Sequence, residues 1–363
     1  MIRVLQVVTY MGRGGLETML MNYYRHMDRN KVQFDFLVHR DFEADYDQEI
    51  LELGGKIYHV SRLVPWSRSY RAELKIFFHE HPEYRIVHVH QDCLSSVALQ
   101  CAEECGVPVR IAHSHNSNQD KNWKYLIKLH YMKQIPYYAT DLFACSKLSG
   151  RWMFGDNSFQ ILNNAIDTDC YRYSKSEDMD VREELELGNS IVIGHVGRFD
   201  PQKNHEFLID IFCACTKLDS NMKLMLVGDG EGKEKIRQKV RDMNLQDKVV
   251  FTGIRSDVSR LMQAMNVFVF PSLYEGLPVT LIEAQASGLP CVISAHLSDE
   301  CIIIKDLVSS MPLKESPTRW AEHILHQSHQ ERENYFKKLQ ESGYDISTAA
   351  KKLEDFYLEK VER

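Results

Sequence analysis

EGLPVTLIEAQASGLP, residues 275–290, follows directly on the apolar run VFVFPSLY and carries two carboxylates, Glu275 and Glu283, with seven residues between them. The run before it, rich in β-branched and aromatic residues and closed by a proline, reads as a buried strand. Pro278 then opens a helix, and Gly288 with Pro290 closes it. Strand, short turn and helix form the repeating unit of a parallel sheet covered by helices. One glutamate falls in the turn, the other about one and a half turns into the helix. Both can face a ligand over the carboxyl end of a strand, where open parallel sheets bind theirs. Carboxylates only accept hydrogen bonds, which suits vicinal diols such as those of a ribose or a hexose.

Working outward, short apolar runs alternate with amphipathic stretches along the whole chain. In the first half, strands are expected at 4–8, 34–38, 57–60, 86–89, 109–112 and 142–145, with helices between them, for example at 15–26 and 95–104. The polar stretch SKSEDMDVREELELGNS, 174–190, is charged and poor in apolar residues, and reads as a linker. A second alternation follows, with strands at 191–195, 223–227, 249–251, 267–270 and 291–293. Its helices start near Asn204, Glu231, Asp257 and Leu277, and the tail from Ser316 reads as helices ending in 346–361. The expected fold class is α/β: two Rossmann-like domains, parallel sheets covered by helices, facing across a cleft. We place the domains at 1–173 and 186–345, with residues 346–363 as a helix returning to the first.

At 363 residues, two domains are expected rather than one. The chain is 44% hydrophobic and 26% charged, an ordinary globular composition, and its net charge of −7 gives no basic signal for nucleic acid. The nine cysteines are scattered without a CxxC pair, which favours reduced, buried thiols in a cytoplasmic protein. The start MIRVLQVVTY enters a strand with no long apolar h-region, so no signal peptide is expected. No segment has the roughly 18 uninterrupted apolar residues of a membrane span.

The second half opens with GHVGRFDPQKNH, 194–205. A strand ends, Gly197 turns the chain, and Arg198 and Lys203 follow. Arginine offers a planar fork to phosphate oxygens and lysine a mobile point charge, so together they could neutralise a diphosphate without a metal. Either alone would pass for a surface cation; it is their place after a strand and a glycine, in the same half as the glutamates, that gives them weight. LMLVGDGEGKEKI, 224–236, is a glycine-rich strand-to-helix turn, with Gly228 placed so that backbone amides could approach a phosphate or ribose. Its G-x-G-x-G spacing is not the dinucleotide fingerprint, and it lies mid-domain, so no nicotinamide cofactor is expected. In FTGIRSDV, Gly253, Ile254 and Arg255 form a loop after a strand that could edge a planar base, or serve simply as a connection.

In the first half, TYMGRGGLETMLMNYY, 9–24, is a strand, a glycine loop and a helix. Gly14 and Gly15 leave amides at the helix N-terminus that favour an anion or a sugar hydroxyl, unless they are there only for a tight turn. VPVRIAHSHNSN, 107–118, puts His113 and His115 on one face of a strand end, followed by Asn116. The sequence shows no further Cys/His/Asp set with ligand spacing beside them, so no metal is expected; a histidine donating to a sugar hydroxyl or polarising the reacting centre fits better. Ser146, in FACSKLSG, and Asn164, in ILNNAID, read chiefly as strand-end and turn residues. KNWKYLIKLHYMK, 121–133, mixes lysines with aromatic residues and no acid, a composition suited to an interfacial helix or to a solvated helix face.

Taken together, GRFDPQK, GDGEG, FTGIRSDV and EGLPVTLIEAQASGLP resemble the retaining glycosyltransferases of family 4, with the GT-B fold. GRGGLETML, RIAHSHN, ILNNAID and SDECIIIKDLVSSMPL…WAEHIL narrow the resemblance to bacterial exopolysaccharide or capsule glycosyltransferases, over nearly the whole chain. The resemblance implies transfer of a hexosyl unit from a nucleoside-diphosphate sugar, with retention, to a saccharide acceptor such as a lipid-linked oligosaccharide. It favours uridine, the common base of the group. It assigns the donor diphosphate to Arg198 and Lys203, the ribose to Glu283, and the donor hexose to Glu275 with the amides of Gly276 and Leu277. Gly14 and Gly15 would lie under the donor phosphate and the acceptor. The histidine at the reacting centre matches His115, with His113 one pleat away; His113, Asn116, Ser146 and Asn164 are then candidates for the acceptor side. No cofactor and no metal are implied. Location is expected in the cytoplasm, with peripheral contact at the inner membrane surface through 121–133. Two rivals share the fold: a sugar-nucleotide 2-epimerase, which would need acid–base groups and no acceptor, and a non-catalytic sugar-binding homologue.

Overall fold

A computed structural model describes residues 1–116, 125–275 and 277–362. The chain divides into two compact units, one of Met1–Ile166 with Asp345–Arg363, the other of Asp167–Tyr344.

The first unit is built on a seven-stranded sheet: β1 (Ile2–Val7), β2 (Val32–Val38), β3 (Ile57–His59), β4 (Ile86–Val89), β5 (Val109–Ser114), β6 (Asp141–Ala144) and β7 (Gln160–Ile161). They lie in the order β3-β2-β1-β4-β5-β6-β7, all parallel. β2 and β4 are buried at every position, as strands covered on both faces must be. One face packs Val4, Phe34, Phe36 and Ile111 under the helix Gly15–His26 and the C-terminal helix Ile346–Glu362. The other packs Leu5, Val87 and Ala112 under the helices Arg68–Glu80 and Ser95–Glu104. The last helix is part of this core: Ile346, Ala350, Leu353 and Tyr357 are all buried in it.

The second unit repeats the plan with β8 (Ile191–Val196), β9 (Met222–Val227), β10 (Val249–Gly253), β11 (Val267–Phe270), β12 (Cys291–Ser294) and β13 (Val308–Met311). Their order is β10-β9-β8-β11-β12-β13, again all parallel. Each sheet therefore reverses its winding once, between β1 and β4 and between β8 and β11. Such a reversal splays two successive loops apart and leaves a crevice at the strand ends, the usual ligand position in this architecture.

Three elements depart from the sequence reading. The stretch 174–190 holds a helix, Lys175–Glu184, rather than a linker. Ser174 caps it, Val181 is buried, and Arg182 donates to the carbonyls of Gly188, Ser190 and Ala264 and to Asn266 Oδ1, at 2.9–3.1 Å. One apolar and one arginine anchor suffice to dock a helix whose remaining residues are polar. β7 and β13 were not expected either. QI is only two residues long and exposed, and VSSM is an edge strand with polar residues at its centre, so neither shows an apolar run.

Candidate functional site

The crevice of the second unit lies between the loops that follow β8 and β11. Three hydrogen bonds hold these loops together: Leu273 N to Gln202 O (2.8 Å), Gln202 Nε2 to Tyr274 O (2.9 Å) and Asn204 Nδ2 to Pro271 O (3.2 Å). The β8 loop makes a single 3₁₀ turn, Pro201–Lys203, because Asp200 caps it by accepting from Lys203 N. The turn aims Lys203 at the β11 loop, where its Nζ sits 2.6 Å from Glu275 Oε1. Both side chains are largely buried, and the ammonium also lies over the Phe270 ring at 4.8 Å. Arg198, in the same loop, is exposed and makes no ion pair among the described residues. The β8 loop thus carries one guanidinium without an ion pair among the described residues and one ammonium already neutralised by a carboxylate. An incoming diphosphate would find a charge fork ready and a second cation shared with Glu275.

Glu283 lies in the helix Val279–Ala286 and is buried. Desolvation pushes its carboxyl up to about 7, while a hydrogen bond from Tyr171 holds it partly down. Burial and the same carboxylate push the Tyr171 hydroxyl well above its ordinary range. Leu277 is buried, and Gly276 lies outside the described residues. Gly228 has φ +134°, and a Cβ there would run into the Gly197 carbonyl, so its glycine is explained by the close approach of the β8 and β9 loops. Gly253 accepts from Gly228 N at 2.9 Å, and Ile254 beside it is 61% exposed, an apolar surface open to a planar partner. The Arg255 guanidinium is committed elsewhere: it pairs with Asp257 at 2.7 Å and with Glu184 at 3.0 Å. Of this loop, the glycine and the isoleucine remain open to a ligand, and the charge of Arg255 does not.

In the first unit, Gly14 is the N-cap residue and Gly15 the first residue of the helix Gly15–His26. The Glu17 carboxylate folds over Gly14, so an anion there would meet a charge already in place. Ser146 caps the helix Lys147–Phe154 in a reciprocal box with Ser149 and is buried; its hydroxyl serves the fold rather than a ligand. Asn164 is buried in its turn. Asn116 donates to Asp92 Oδ2 at 2.8 Å.

His113 and His115 share one face, their ring centroids 4.0 Å apart. They differ in depth: His113 is 1% exposed, whereas His115 is only half-buried. The expectation that no further ligand-type residues accompany them is corrected. β4 lies beside β5, with His88 level with Ile111, and so brings His88 and His90 against the pair. His90 Nδ1 is 2.9 Å from His115 Nε2, His90 Nε2 is 2.8 Å from Gln6 Oε1, and His88 Nδ1 is 2.7 Å from the Tyr357 hydroxyl on the C-terminal helix. Burial holds His88, His90 and His113 well below the usual histidine range and His115 at about 3, so all four are neutral at pH 7. The sequence signal was present: HVH at 88–90 has the same period of two as HSH at 113–115. Tyr171 and Tyr357 carried no comparable signal, since both reach their partners from distant elements.

Among the described residues, no helix is long and apolar enough to cross a membrane. Residues 121–124 of the basic-aromatic stretch lie outside the described ones, and the rest forms the helix Tyr125–Met132, with no buried residue and with Leu126 exposed.

Comparison with known proteins agrees with the two-unit plan. The family model Glycosyltransferase Family 4 matches residues 13–169, and Glycosyl transferases group 1 matches residues 177–344. EpsF of Bacillus subtilis (strain 168), a protein named as a glycosyltransferase, is 38% identical over 360 residues, 94% of this chain and 93% of its own. The UDP-Gal:alpha-D-GlcNAc-diphosphoundecaprenol alpha-1,3-galactosyltransferase of Escherichia coli is 28% identical over 61% of this chain and 60% of its own. Anabaena HepE, solved in complex with UDP-glucose, superposes with a TM-score of 0.75 at 17% identity, over 97% of this chain and 95% of that one, which is likeness of fold. Two doubly wound units, full-length identity to EpsF and a matching family model on each unit make this chain a member of the family 4 glycosyltransferases, with the GT-B fold.

Proposed function

We propose that the chain transfers a hexosyl unit from a nucleoside-diphosphate sugar, a uridine one, to a saccharide acceptor, with retention at the anomeric carbon. The observation that carries this reading is the pairing of Lys203 with Glu275 between the hydrogen-bonded loops after β8 and β11, with Arg198 exposed in the first of these loops. In this reading Arg198 and Lys203 hold the diphosphate, and Glu275 turns from Lys203 toward the donor hexose. Glu283 accepts from the ribose hydroxyls, and Gly253 with Ile254 lines the base. The acceptor hydroxyl forms the new bond to the anomeric carbon as the bond to the diphosphate breaks, and its proton passes to the departing diphosphate oxygen. Catalysis then rests on stabilising the leaving group, for which two cations suffice without a metal. His115, neutral and half-buried, is suited to accept from or donate to a sugar hydroxyl.

For the acceptor we propose a lipid-linked saccharide, as in exopolysaccharide or capsule synthesis. A cavity of about 520 Å³ in the first unit supports it, lined by Thr9, His39, Arg40, Arg62, His90 and Asp92 among others. Two arginines at the strand ends suit a phosphorylated acceptor. The relative from E. coli is named for a diphosphoundecaprenol acceptor. Location at the cytoplasmic face of the inner membrane, touched through the helix Tyr125–Met132 at its exposed Leu126, fits such a substrate. The test is incubation of the purified chain with a panel of sugar nucleotides, with and without a diphospholipid saccharide. Nucleoside diphosphate released together with an α-linked product supports the reading. An epimerised donor formed without acceptor, or no reaction with any donor, contradicts it.

A further inference from the structure

We propose that His88, His90 and His113, with His115 alongside, form a binding site for one divalent transition-metal ion, zinc by preference, that clamps β4 to β5. The four imidazoles come from two H-x-H pairs on adjacent parallel strands, and the ligand nitrogens of His88, His90 and His113 lie within 4.8 Å of one another. A tetrahedral ion with bonds of about 2.0–2.1 Å needs its nitrogens roughly 3.3 Å apart, which ring rotations of about an ångström would supply. His90 Nδ1 and His115 Nε2, at 2.9 Å, share a hydrogen bond that an ion would replace.

Three nitrogens of this cluster, His88 Nε2 and both of His113, are buried without a hydrogen-bond partner among the described residues. A buried polar atom left in that state costs about 1–3 kcal/mol, so the cluster is incomplete as protein alone. The outer nitrogens are anchored as metal-binding histidines are. Gln6 Oε1 can only accept, so His90 Nε2 carries the proton and Nδ1 keeps its lone pair. His88 Nδ1 lies 2.7 Å from the Tyr357 hydroxyl, and in the tautomer that donates to it Nε2 is free to ligate. Imidazoles without carboxylate suit zinc, copper or nickel and not magnesium or calcium. The Asp92 carboxyl, two residues beyond His90, has a buried Oδ1 without a hydrogen-bond partner among the described residues and can supply a countercharge at this strand end. His90 also lines the cavity of the first unit, which gives the ion a way in. The site lies in the first unit and shares His115 and the cavity wall at His90 with the proposed acceptor side, so its test reads metal binding and not sugar transfer.

The experiment uses the full chain with any histidine tag removed, stripped with chelator and then equilibrated with zinc or cobalt(II). The expected result is one zinc retained per chain after gel filtration. Cobalt should give the visible absorption of a tetrahedral nitrogen site, and zinc should raise the melting temperature. His113→Gln and His88→Gln should abolish stoichiometric binding with the circular dichroism unchanged. Should either fail to fold, Tyr357→Phe decides, since it keeps every imidazole and removes only the bond that orients His88. It should weaken zinc about 10–100-fold. A wild-type chain that retains no zinc, or variants that bind as the wild type does, overturns the proposal and leaves the cluster to ordered water.

Discussion

At the scale of single residues, the crevice of the second unit separates charges by what already faces them. Arg198 is exposed and free of ion pairs among the described residues, so Arg198→Ala should leave stability within about 0.5 kcal/mol of wild type. Its turnover should nevertheless fall on the order of 100-fold, the scale of one lost charge-stabilising donor. Lys203→Ala should lose comparable turnover and also about 2 kcal/mol of stability, because it strips the cation from the largely buried Glu275. Urea titration and steady-state rates on the same preparations distinguish the two. Glu283 carries the opposite sign. Its folded carboxyl, near 7 against an ordinary 4.5, keeps a proton that the unfolded chain releases. Its penalty is absent below pH 4.5, grows as pH rises, and is complete above about 7. That difference amounts to about 3 kcal/mol. Glu283→Gln should therefore stabilise the chain at pH 8 by up to about 3 kcal/mol, leave it unchanged at pH 4, and lose nucleotide affinity at both. In the wild type, affinity should rise between pH 6 and 8 as the carboxylate forms. A buried acid that destabilises the fold is then accounted for by the ligand it serves.

At the scale of elements, the sequence is readable wherever a run is buried on both faces. β4 and β11 were expected at 86–89 and 267–270 and lie at Ile86–Val89 and Val267–Phe270; the helices at 15–26 and 95–104 are likewise Gly15–His26 and Ser95–Glu104. What it hid was docked by few contacts. The helix Lys175–Glu184 has one buried apolar residue, and the four acceptors of Arg182 outside the helix replace the missing apolar stripe. Arg182→Ala should accordingly cost the second unit about 2–3 kcal/mol by urea titration, far more than an ordinary surface change. The candidate site divides in the same way. Arg198, Lys203, Glu275 and Glu283 are legible because each sits at a strand end or helix start whose place the periodicity gives. The contact of His88 and His90 with His113 and His115 is not legible, because it depends on which strands become neighbours. That is a matter of sheet order, to which local spacing is blind. Gly288 shows local constraint at its clearest. Its φ of +66° and the Glu333 carbonyl leave no room for a Cβ, so Gly288→Ala should destabilise the closing turn of the glutamate helix by more than about 1 kcal/mol.

At the scale of the whole molecule, the chain forms two units, each with cores of its own. The C-terminal helix contributes Ile346, Ala350, Leu353 and Tyr357 to the core of the first unit, although the second lies between in sequence. The first unit can therefore be completed only when the chain's end is present. The central claim is that the second unit binds a nucleoside diphosphate at the crevice between β8 and β11. Calorimetric titration of the purified chain with UDP, GDP and ADP, repeated on Arg198→Ala and Glu283→Gln, tests it most directly. The account predicts a single site, tightest for UDP, weakened at least about 10-fold in each variant, since each loses a charge-assisted contact of about 1.5–3 kcal/mol. Binding of no nucleoside diphosphate, or equal affinity in wild type and both variants, would contradict it.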